Sequence, residues 1–370
     1  MKKTKAKLSF LTKFMLFLNS IAVLAMLLAY LAPVTDPRTL WPIAFFGLAY
    51  PPVLVLNILF VVYWFIVRVK FAIISLLTIL VGYNILFKNI GFHFGNKNLS
   101  ERSANQLRIL TYNVHNFKKE GLNENDTTRH GILQVIKNVN PDIVGMQEFF
   151  TRKRGRYAMS DSIADLLQTK YLHFEPNMQT DIEKMGMCIF SRYPIVAKGS
   201  VAISPPGMGN QCIYVDVKTN NQIIRFYSVH LQSIRFEAED YRYIDTITKK
   251  GKADIASTRR LGGKLKRAFI KRAEQVLLVK EHAAQCPYPY IISGDFNDTP
   301  TSFAVNQMGK GIKNTFREKG LGLGRTYNGD FPNYQIDYIM ANNSFDVLNY
   351  KIIQQKLSDH YPVYADLALQ

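Results

Sequence analysis

The chain has 370 residues, of which 48% are hydrophobic and 20% are charged, and its formal net charge is +18. This length is enough for one domain of about 250 residues with an additional region, or for two ordinary domains. Its three cysteines, Cys188, Cys212 and Cys286, lie far apart in the sequence, and an odd number of cysteines excludes a complete disulfide framework. Their spacing suggests no zinc site, and we expect them to be small buried side chains.

The first 100 residues contain three apolar runs, and we predict about three transmembrane helices over residues 14–32, 42–67 and 71–87. An uncharged run of about 19 residues, such as the first, can cross a hydrocarbon core of about 30 Å. It is longer than the apolar part of a typical signal peptide, and no convincing cleavage site follows it. Pro51 and Pro52 kink or break the second run, which therefore either spans the membrane or re-enters it. We assign residues 1–100 to a membrane region with a linker, and residues 101–370 to one domain.

The basic residues predict the orientation of these spans. Five lysines precede the first run, and Arg68 and Lys70 lie between the second and the third. Because such positive segments stay in the cytoplasm, three spans place residues 88–370 on the opposite side of the membrane. If one run failed to span, this parity would reverse. We predict an integral protein of the cell or inner membrane whose large domain is extracytoplasmic.

Residues 101–370 show alternating strand and helix patterns. In chain order, we predict a strand over 107–114, a helix over 130–139, a strand over 142–148, a helix over 160–167, a pair of strands over 187–190 and 195–197, a hairpin over 212–217 and 223–231, a helix over 264–284, and strands over 290–293, 335–340 and 361–369. Strands outnumber helices, and many of them pair with a neighbour in the sequence.

Strand after strand in this prediction ends near, or in the last case begins just after, a residue able to bind a metal ion or move a proton. Catalytic residues concentrate in loops at one rim of a rigid sheet. Any one of these residues alone would be dismissed, but together they indicate a catalytic rim. They are Asn113, Glu148, His230, Asp295 with Asn297, Asp337, and Asp359 with His360.

Six short segments containing these residues resemble the motifs of the endonuclease/exonuclease/phosphatase superfamily, and they occur in the same order. The resemblance covers residues 105–370, and it implies an α/β fold, a four-layer α/β/β/α sandwich of two mixed sheets, here preceded by the N-terminal helical region. It also implies a divalent-metal-dependent attack of water on a phosphorus ester. The segments are Tyr112-Asn113-Val114, Gly145-Met146-Gln147-Glu148, Ser228-Val229-His230-Leu231, Ser293-Gly294-Asp295-Phe296-Asn297, Ile336-Asp337-Tyr338 and Ser358-Asp359-His360-Tyr361-Pro362-Val363.

The resemblance also implies a role for each site residue. Glu148 would be the main metal ligand with Asn113 beside it, and Asp359 would complete the acidic cluster. Oxygen ligands of this kind suit Mg²⁺ or Mn²⁺. Asp295 would orient or deprotonate the attacking water, and Asn297 would hold a phosphoryl oxygen. His360 would contact the phosphoryl group as an electrophile or as a base, with Asp337 fixing its tautomer, and His230 would donate to the phosphate.

Two other polar residues, Asp298 and Arg192, are expected to be structural. Asp298 precedes Thr299 and Pro300, and aspartate is common in such turns. Arg192, in the turn Ser191 to Pro194, is likewise expected to have no catalytic role.

Two basic segments are candidates for substrate binding. Arg152, Lys153, Arg154 and Arg156 follow Glu148 closely, and the segment 241–272 contains eleven basic residues and two acidic ones. Because a positive rim suits a polyanion, we predict a membrane-anchored, divalent-metal-dependent phosphodiester hydrolase with nuclease-like activity. The partners are then the lipid bilayer and a nucleic acid or a phospholipid headgroup, and no protein partner can be inferred.

Two other functions remain open from the sequence. Anionic lipids attract basic segments near a membrane, which favours a phospholipase C- or sphingomyelinase-like activity, or a phosphatase activity on a lipid or polyphosphate headgroup. A silent binding or scaffold module is less favoured, because an unused site has no physical reason to keep the complete set of site residues.

Overall fold

The computed structural model describes residues 8–93, 105–118, 126–220, 222–329 and 333–370. Four of the five lysines used to predict the orientation, and Asn221 in the predicted hairpin turn, lie outside these ranges. The N-terminal part is helical, with α1 (Phe10–Leu31), α2 (Pro37–Leu40), α3 (Pro42–Leu48), α4 (Tyr50–Val67), α5 (Val69–Val81) and α6 (Tyr83–Asn89), followed by the short strand β1 (Ile90–Phe92).

Helices α1 and α4 are each long and apolar enough to cross a membrane, and α5 with α6 would make a third span if the pair acts as one. A bend of 65° separates α5 from α6. Buried polar side chains join these helices. Asn19 Nδ2 donates to Ser75 Oγ over 2.6 Å, and Trp64 Nε1 donates to Asn19 Oδ1 over 2.8 Å. These bonds satisfy polar groups that would otherwise be costly in an apolar surrounding.

The predicted run 42–67 is two helices and not one. Helix α3 ends at Leu48, and α4 begins at Tyr50 with its prolines in the first turn. Proline fits that position because the first helical N–H groups have no partner within the helix. The sequence predicted that these prolines kink or break the run; the run is broken, and the prolines lie in the first turn of its second helix.

The rest of the chain alternates between strands and helices. Its elements are β2 (Gln106–Asn113), α7 (Asp126–Val139), β3 (Ile143–Arg152), α8 (Met159–Leu167), β4 (Tyr171–Gln179), β5 (Glu183–Ser191), β6 (Ile195–Val201), β7 (Gln211–Lys218), β8 (Ile223–His230), α9 (Ala238–Lys250), α10 (Ile255–Ala284), β9 (Tyr290–Asp295), α11 (Phe303–Met308), β10 (Lys313–Asn314), α12 (Thr315–Lys319), β11 (Leu321–Leu323), β12 (Asp337–Ala341), β13 (Phe345–Ile352) and β14 (Val363–Leu369).

Within the described residues, these strands, apart from β11, form two six-stranded sheets. One has the order β10-β12-β9-β8-β7-β6, and the other has the order β13-β14-β2-β3-β5-β4. Both are mixed, because β8 and β9 pair in parallel, as do β2 and β3, while their other neighbours are antiparallel. The predicted hairpin is confirmed as β7 and β8.

Apolar side chains fill the space between the sheets and the space outside each of them. Ile109, Ile213 and Phe226 belong to the cluster between the sheets. Helices α7 and α8 cover the outer face of one sheet, and α10 and α11 cover the outer face of the other. The predicted four-layer α/β/β/α sandwich is therefore confirmed.

The predicted strand pair around the turn 191–194 is wrong. Strand β5 pairs with β3 and β4, whereas β6 pairs with β7 in the opposite sheet. The turn therefore carries the chain from one sheet to the other. Arg192 in this turn donates to Asn140 Oδ1, a contact between loops.

The helical N-terminal part packs against the sandwich at several points. Strand β1 pairs with β11, Lys88 Nζ donates to Asn306 Oδ1 over 2.6 Å, and Asn89 Nδ2 donates to Thr301 Oγ1 over 3.0 Å. The ring of Phe45 in α3 lies edge-on to Phe269 in α10, with centroids 5.3 Å apart.

Candidate active site

The strand ends bring the predicted site residues to one rim. In the register of β8, β9 and β12, Asp295 lies opposite His230 on one side and opposite Asp337 on the other. Asn113 ends β2 in the other sheet, and its Nδ2 donates to Asp295 Oδ2 over 3.1 Å. The site therefore lies where both sheets end, and Asn113 links them.

Glu148 reaches the site through an irregularity in β3. The pairing of β3 with β5 shifts between Met146 and Phe149, and Glu148 has a φ of 49°. A bulge of this kind re-aims a side chain, and a positive φ is uncommon for a residue other than glycine. The neighbouring Gln147 remains between the sheets, where its Nε2 donates to Ser228 Oγ over 2.9 Å.

His360 and Asp337 form a buried pair. The two Asp337 carboxylate oxygens lie 2.9 and 3.1 Å from His360 Nδ1, so Nδ1 donates and Nε2 is left to face Asp295 Oδ2 at 3.7 Å. Burial lowers the pKa of His360, but the carboxylates of Asp337, Asp295 and Asp359 outweigh it and raise the pKa well above its usual value. The protonated imidazolium is therefore favoured, with Asp337 fixing the ring.

Asp295 is fully enclosed and well oriented. Its Oδ1 accepts the Asn297 N–H over 2.8 Å, and its Oδ2 accepts from Asn297 Nδ2 over 3.2 Å. Burial raises its pKa to about 6, against the opposing effect of the His360 charge. A carboxylate with a pKa near neutrality is suited to act as a general base.

Asn297 is placed differently from its predicted contact with a phosphoryl oxygen. Its Nδ2 donates to Asp295 and also to the Leu231 carbonyl, over 3.1 Å. The side chain therefore orients the base, and contact with the substrate remains a prediction.

His230 has a buried polar atom that lacks a partner. Its Nε2 has no hydrogen bond within the described part of the chain, and it lies 3.7 Å from Asp295 and 3.9 Å from Glu148. Buried polar groups are normally satisfied. A ligand oxygen between these residues would satisfy it.

His115 belongs to the site, although the sequence analysis did not select it. Its Nδ1 lies 3.4 Å from a Glu148 oxygen and 3.5 Å from an Asp359 oxygen. Its hydrogen bond to Glu148 raises its pKa despite burial. The sequence signal that could have identified His115 is its position two residues after Asn113. Asn113 Oδ1 accepts the His115 N–H over 3.1 Å, and this bond ends the strand in a tight turn.

The carboxylates of Glu148 and Asp359 offer the better place for a metal ion. Among the described residues, Asp295, Asp337 and His360 are the closest group of possible ligands, but both Asp337 oxygens are already used by His360. Glu148 and Asp359 instead converge on His115 and remain partly open to the cavity. Nearby histidines hold the pKa of Glu148 at about 2 despite its burial. An ionised oxygen donor set fits Mg²⁺ or Mn²⁺.

Asn113, predicted to lie beside the metal, uses its Oδ1 on the His115 backbone and directs Nδ2 to Glu148 and Asp295. In this arrangement it orients the two carboxylates. Metal ligation by Asn113 remains a prediction.

The four predicted substrate-binding residues make other contacts or are exposed, and substrate binding by them remains a prediction. The Arg152 side chain lies 3.4 Å from Glu183 and over the Tyr157 ring, and Arg156 forms an ion pair of 2.5 Å with Asp126. Lys153 and Arg154 are exposed. None of the four lines the cavity described next.

Asp298 is more than the turn residue that the sequence predicted. It is buried, and its Oδ2 lies 3.1 Å from Nε of Arg272, which is 1% exposed. Arg272 also donates to the Asn297 carbonyl. This pair attaches helix α10 to the turn that carries Asn297.

Most of the site residues line one cavity of about 300 Å³: His115, Glu148, His230, Asp295, Asn297, Asp359 and His360. Apolar side chains, among them Leu48, Ile234, Phe236, Leu265 and Phe269, line it as well.

Comparison with known proteins identifies two matching families. Residues 110–360 match the model of the Endonuclease/Exonuclease/phosphatase family, and residues 12–89 match a domain of unknown function (DUF8431). No curated protein matches the chain.

Solved structures of similar fold include family proteins from Bacteroides vulgatus and Bacteroides thetaiotaomicron. The first has 17% identity and a TM-score of 0.53 over 72% of this chain and 99% of that one. The second has 20% identity and a TM-score of 0.51 over 72% and 98%. An endonuclease/exonuclease/phosphatase from Beutenbergia cavernae has 20% identity and a TM-score of 0.51 over 72% of each chain. At these identities the likeness concerns the fold alone.

Proposed function

The chain belongs to the endonuclease/exonuclease/phosphatase family, whose members are phosphoric ester hydrolases, and we propose that it hydrolyses phosphodiester bonds with Mg²⁺ or Mn²⁺ while anchored in a membrane. The observation that carries this proposal is the buried His360–Asp337 pair, whose free imidazole nitrogen faces Asp295 at 3.7 Å. An acid and a base are thus held side by side at the rim of a rigid sandwich.

In the proposed reaction, Asp295 orients a water molecule and takes one of its protons. The water oxygen forms a bond to phosphorus, the ester P–O bond breaks, and the departing alkoxide takes a proton from solvent. His360, protonated and fixed by Asp337, stabilises charge on the phosphoryl oxygens, as does the Nε2–H of His230. Preorganised donors of this kind stabilise a transition state because they need no reorientation during the reaction.

Glu148 and Asp359 would hold the metal ion, which when bound supplies a Lewis acid for the phosphoryl oxygens. The hydrogen bonds of Asn113 to Glu148 and Asp295 hold these two carboxylates in fixed positions relative to each other. Through Asn113, the metal-binding corner is joined to the catalytic base.

The sequence favoured a nuclease-like activity because of its two basic segments. Much of that charge is neutralised by acidic neighbours. Lys264 contacts Asp240 at 2.6 Å, and Arg260 contacts Asp240 at 3.0 Å. Nuclease-like activity therefore stays a candidate with weaker support, and activity on a lipid headgroup gains support from the apolar side chains that line the cavity.

Membrane anchoring is supported by α1 and α4. The ends of α3 and α6 both contact the sandwich, at Phe269 and at Asn306. This arrangement agrees with three antiparallel spans and with a catalytic domain opposite to the Arg68–Lys70 link. We keep the extracytoplasmic orientation as part of the proposal.

The test uses the purified full-length chain in detergent with bis(p-nitrophenyl) phosphate, a soluble diester. We expect turnover with Mg²⁺ or Mn²⁺, loss with EDTA, and loss in His360→Ala. Calorimetric titration of Mg²⁺ into the unmodified chain and into Glu148→Gln should show binding only in the former. Absence of both metal binding and turnover in the unmodified chain would favour the scaffold function instead.

A further inference from the structure

Five apolar side chains line the active-site cavity, Leu48, Ile234, Phe236, Leu265 and Phe269, and we call them the apolar wall. Leu265 and Phe269 lie one turn apart on α10 and are buried. Ile234 and Phe236 lie in the segment after β8, a few residues beyond His230. The wall therefore begins beside the catalytic groups.

Leu48 joins this wall to the membrane region. It ends α3, and α4, one of the two long apolar helices, begins two residues later. Phe45 of α3 packs edge-on against Phe269. The Lys266 ammonium lies over the Trp41 ring, 4.7 Å from its centroid. A helix connected to a candidate membrane span thus supplies part of the active-site surface.

Close packing fixes the position of α3. A Cβ atom added to Gly47 would lie 2.5 Å from Ala32 Cβ and 3.4 Å from the Thr301 carbonyl oxygen. Gly47 therefore lies tightly between the end of α1 and the loop before α11, and Leu48 is held at the cavity by these contacts.

The charges near the cavity suit a single phosphate better than a long polyanion. Arg235 and the buried Arg272 are the arginines and lysines among the residues that line it. Lys264 is held by Glu237 at 3.1 Å and by Asp240, and Arg260 is held by Glu239 at 2.9 Å and by Asp240. Nucleic acid affinity depends on many phosphate contacts by basic side chains, and this rim offers few.

We propose that the substrate is a membrane phospholipid, with its headgroup phosphate between His230 and His360 and the adjoining glycerol and first acyl methylenes on the apolar wall. This inference rests on the proposed phosphodiester hydrolysis and adds the class of substrate. Burial of methylene groups on apolar side chains is favourable. A wall continuous with a membrane helix lets the acyl chains stay near the bilayer while the phosphate reaches the site.

The test measures specificity between a lipid and a soluble diester. The full-length chain, in detergent and Mg²⁺, is given vesicles of phosphatidylethanolamine, phosphatidylglycerol and phosphatidylinositol, and release of organic phosphate and of lipid product is measured. The same preparation is assayed with bis(p-nitrophenyl) phosphate. The variants are Leu48→Gln and Phe236→Gln, and the control is Leu278→Gln, an exposed leucine on α10 that does not line the cavity.

We expect the unmodified chain to hydrolyse lipid. The ratio of kcat/KM for lipid to kcat/KM for the soluble diester should fall by about tenfold in each wall variant, mainly through KM for the lipid. A polar group on an apolar binding surface weakens the binding of methylene groups by about this factor. The control should keep the ratio of the unmodified chain. Melting temperatures show whether each variant is folded, and two wall positions guard against loss of one variant.

The outcomes separate the two proposals. Turnover of the soluble diester without lipid hydrolysis, or a ratio that both wall variants leave unchanged, overturns the lipid inference while phosphodiester hydrolysis stands. Mg²⁺-dependent nicking of plasmid DNA in place of lipid hydrolysis also overturns it and returns the site to a nuclease. Loss of all three activities refutes the proposed function itself.

Discussion

His360 lies among three carboxylates, and its replacement should affect catalysis more than stability. His360→Ala removes the imidazolium that faces Asp295. Because His360 lies at the rim and outside the apolar clusters, the fold should persist. We expect kcat for bis(p-nitrophenyl) phosphate to fall by about 10²- to 10⁴-fold, the usual contribution of a positioned acid or base. His130→Ala, at an exposed histidine of α7, is the matched control. Near-normal turnover of His360→Ala would refute the assignment.

Asp337 acts on the reaction through His360, as a positioning residue. Asp337→Asn keeps the shape of the side chain but can present an amide N–H to His360 Nδ1, which favours the wrong tautomer. We expect kcat to fall by about tenfold or more while KM changes less, since the pair stabilises charge that develops on the phosphoryl oxygens in the transition state more than it binds the ground-state phosphate. Steady-state kinetics with bis(p-nitrophenyl) phosphate measures the split. A change confined to KM would show that Asp337 contributes to binding instead.

The sequence predicted which residues meet at this rim better than it predicted their contacts. His230, Asp295 and Asp337 could be selected because each lies at the end of a strand, and His360 because it lies shortly before the last strand. The pairing of Arg272 with Asp298 could not be predicted, because it joins a helix face to a turn across the fold. Arg152 and Arg156 likewise pair with Glu183 and Asp126 through tertiary contacts, which neither a motif nor a spacing in the sequence indicates.

At the scale of single elements, the backbone around residue 294 explains why a glycine precedes Asp295. Its φ is +141°, and a Cβ atom there would lie 2.0 Å from the Val229 carbonyl oxygen in the neighbouring strand β8. Gly294→Ala should therefore strain β9 and lower the free energy of unfolding by about 2–4 kcal/mol, from backbone strain and overpacking together. Thermal unfolding in detergent gives the loss. Gly155→Ala is the control, since Gly155 also has a positive φ but open space around it; equal losses would show that steric contact is unimportant.

Helix α10 offers a prediction of the opposite sign. Gly262 lies inside this helix with no atom within 4 Å of an added Cβ. Gly262→Ala should raise the free energy of unfolding by about 0.5–1 kcal/mol, because alanine loses less backbone entropy in a helix. Thermal unfolding again measures it. A destabilised Gly262→Ala would mean that this glycine is needed for a contact outside the described chain.

Element boundaries were predictable where composition changes and not where it stays uniform. The hairpin of β7 and β8 follows from two strand patterns around a polar turn. The break at Ala49 lies within a continuous apolar run, so nothing but Pro51 and Pro52 marked it. The separation of β5 and β6 into different sheets was missed because nearness in sequence favours local pairing, and only packing of the whole sandwich decides otherwise.

At the scale of the whole molecule, the helical region and the sandwich are joined by a rigid set of contacts. Three kinds of contact join them: the pairing of β1 with β11, the hydrogen bonds of Lys88 and Asn89, and the packing of Phe45 on Phe269. The sequence predicted a membrane region followed by a separate domain, and gave no sign that the first would help to form the active-site cavity of the second. Such contacts arise between distant segments that no local pattern relates.

The β1–β11 ribbon gives a direct test of this attachment. Gly91 of β1 lies opposite Gly322 of β11, and a Cβ atom at Gly91 would lie 2.3 Å from the Gly320 carbonyl oxygen. Gly91→Val should therefore break the pairing, because this neighbour is backbone and cannot move aside as a side chain can. We expect peptides covering 319–325 to lose protection in hydrogen–deuterium exchange of the full-length chain, since their amides would open without unfolding the sandwich.

Gly262→Ala serves as the control, because Gly262 lies in helix α10 and an added Cβ there meets no atom within 4 Å. Turnover of bis(p-nitrophenyl) phosphate by Gly91→Val should stay within about twofold of the unmodified chain, since residues far apart with no shared partners act independently. Unchanged exchange at 319–325 would mean that the ribbon does not hold the two parts together. If Gly91→Val lost turnover while exchange at 319–325 stayed unchanged, the substitution would act on the sandwich by a route other than the ribbon. The helical region and the sandwich would then be coupled through contacts besides this pairing.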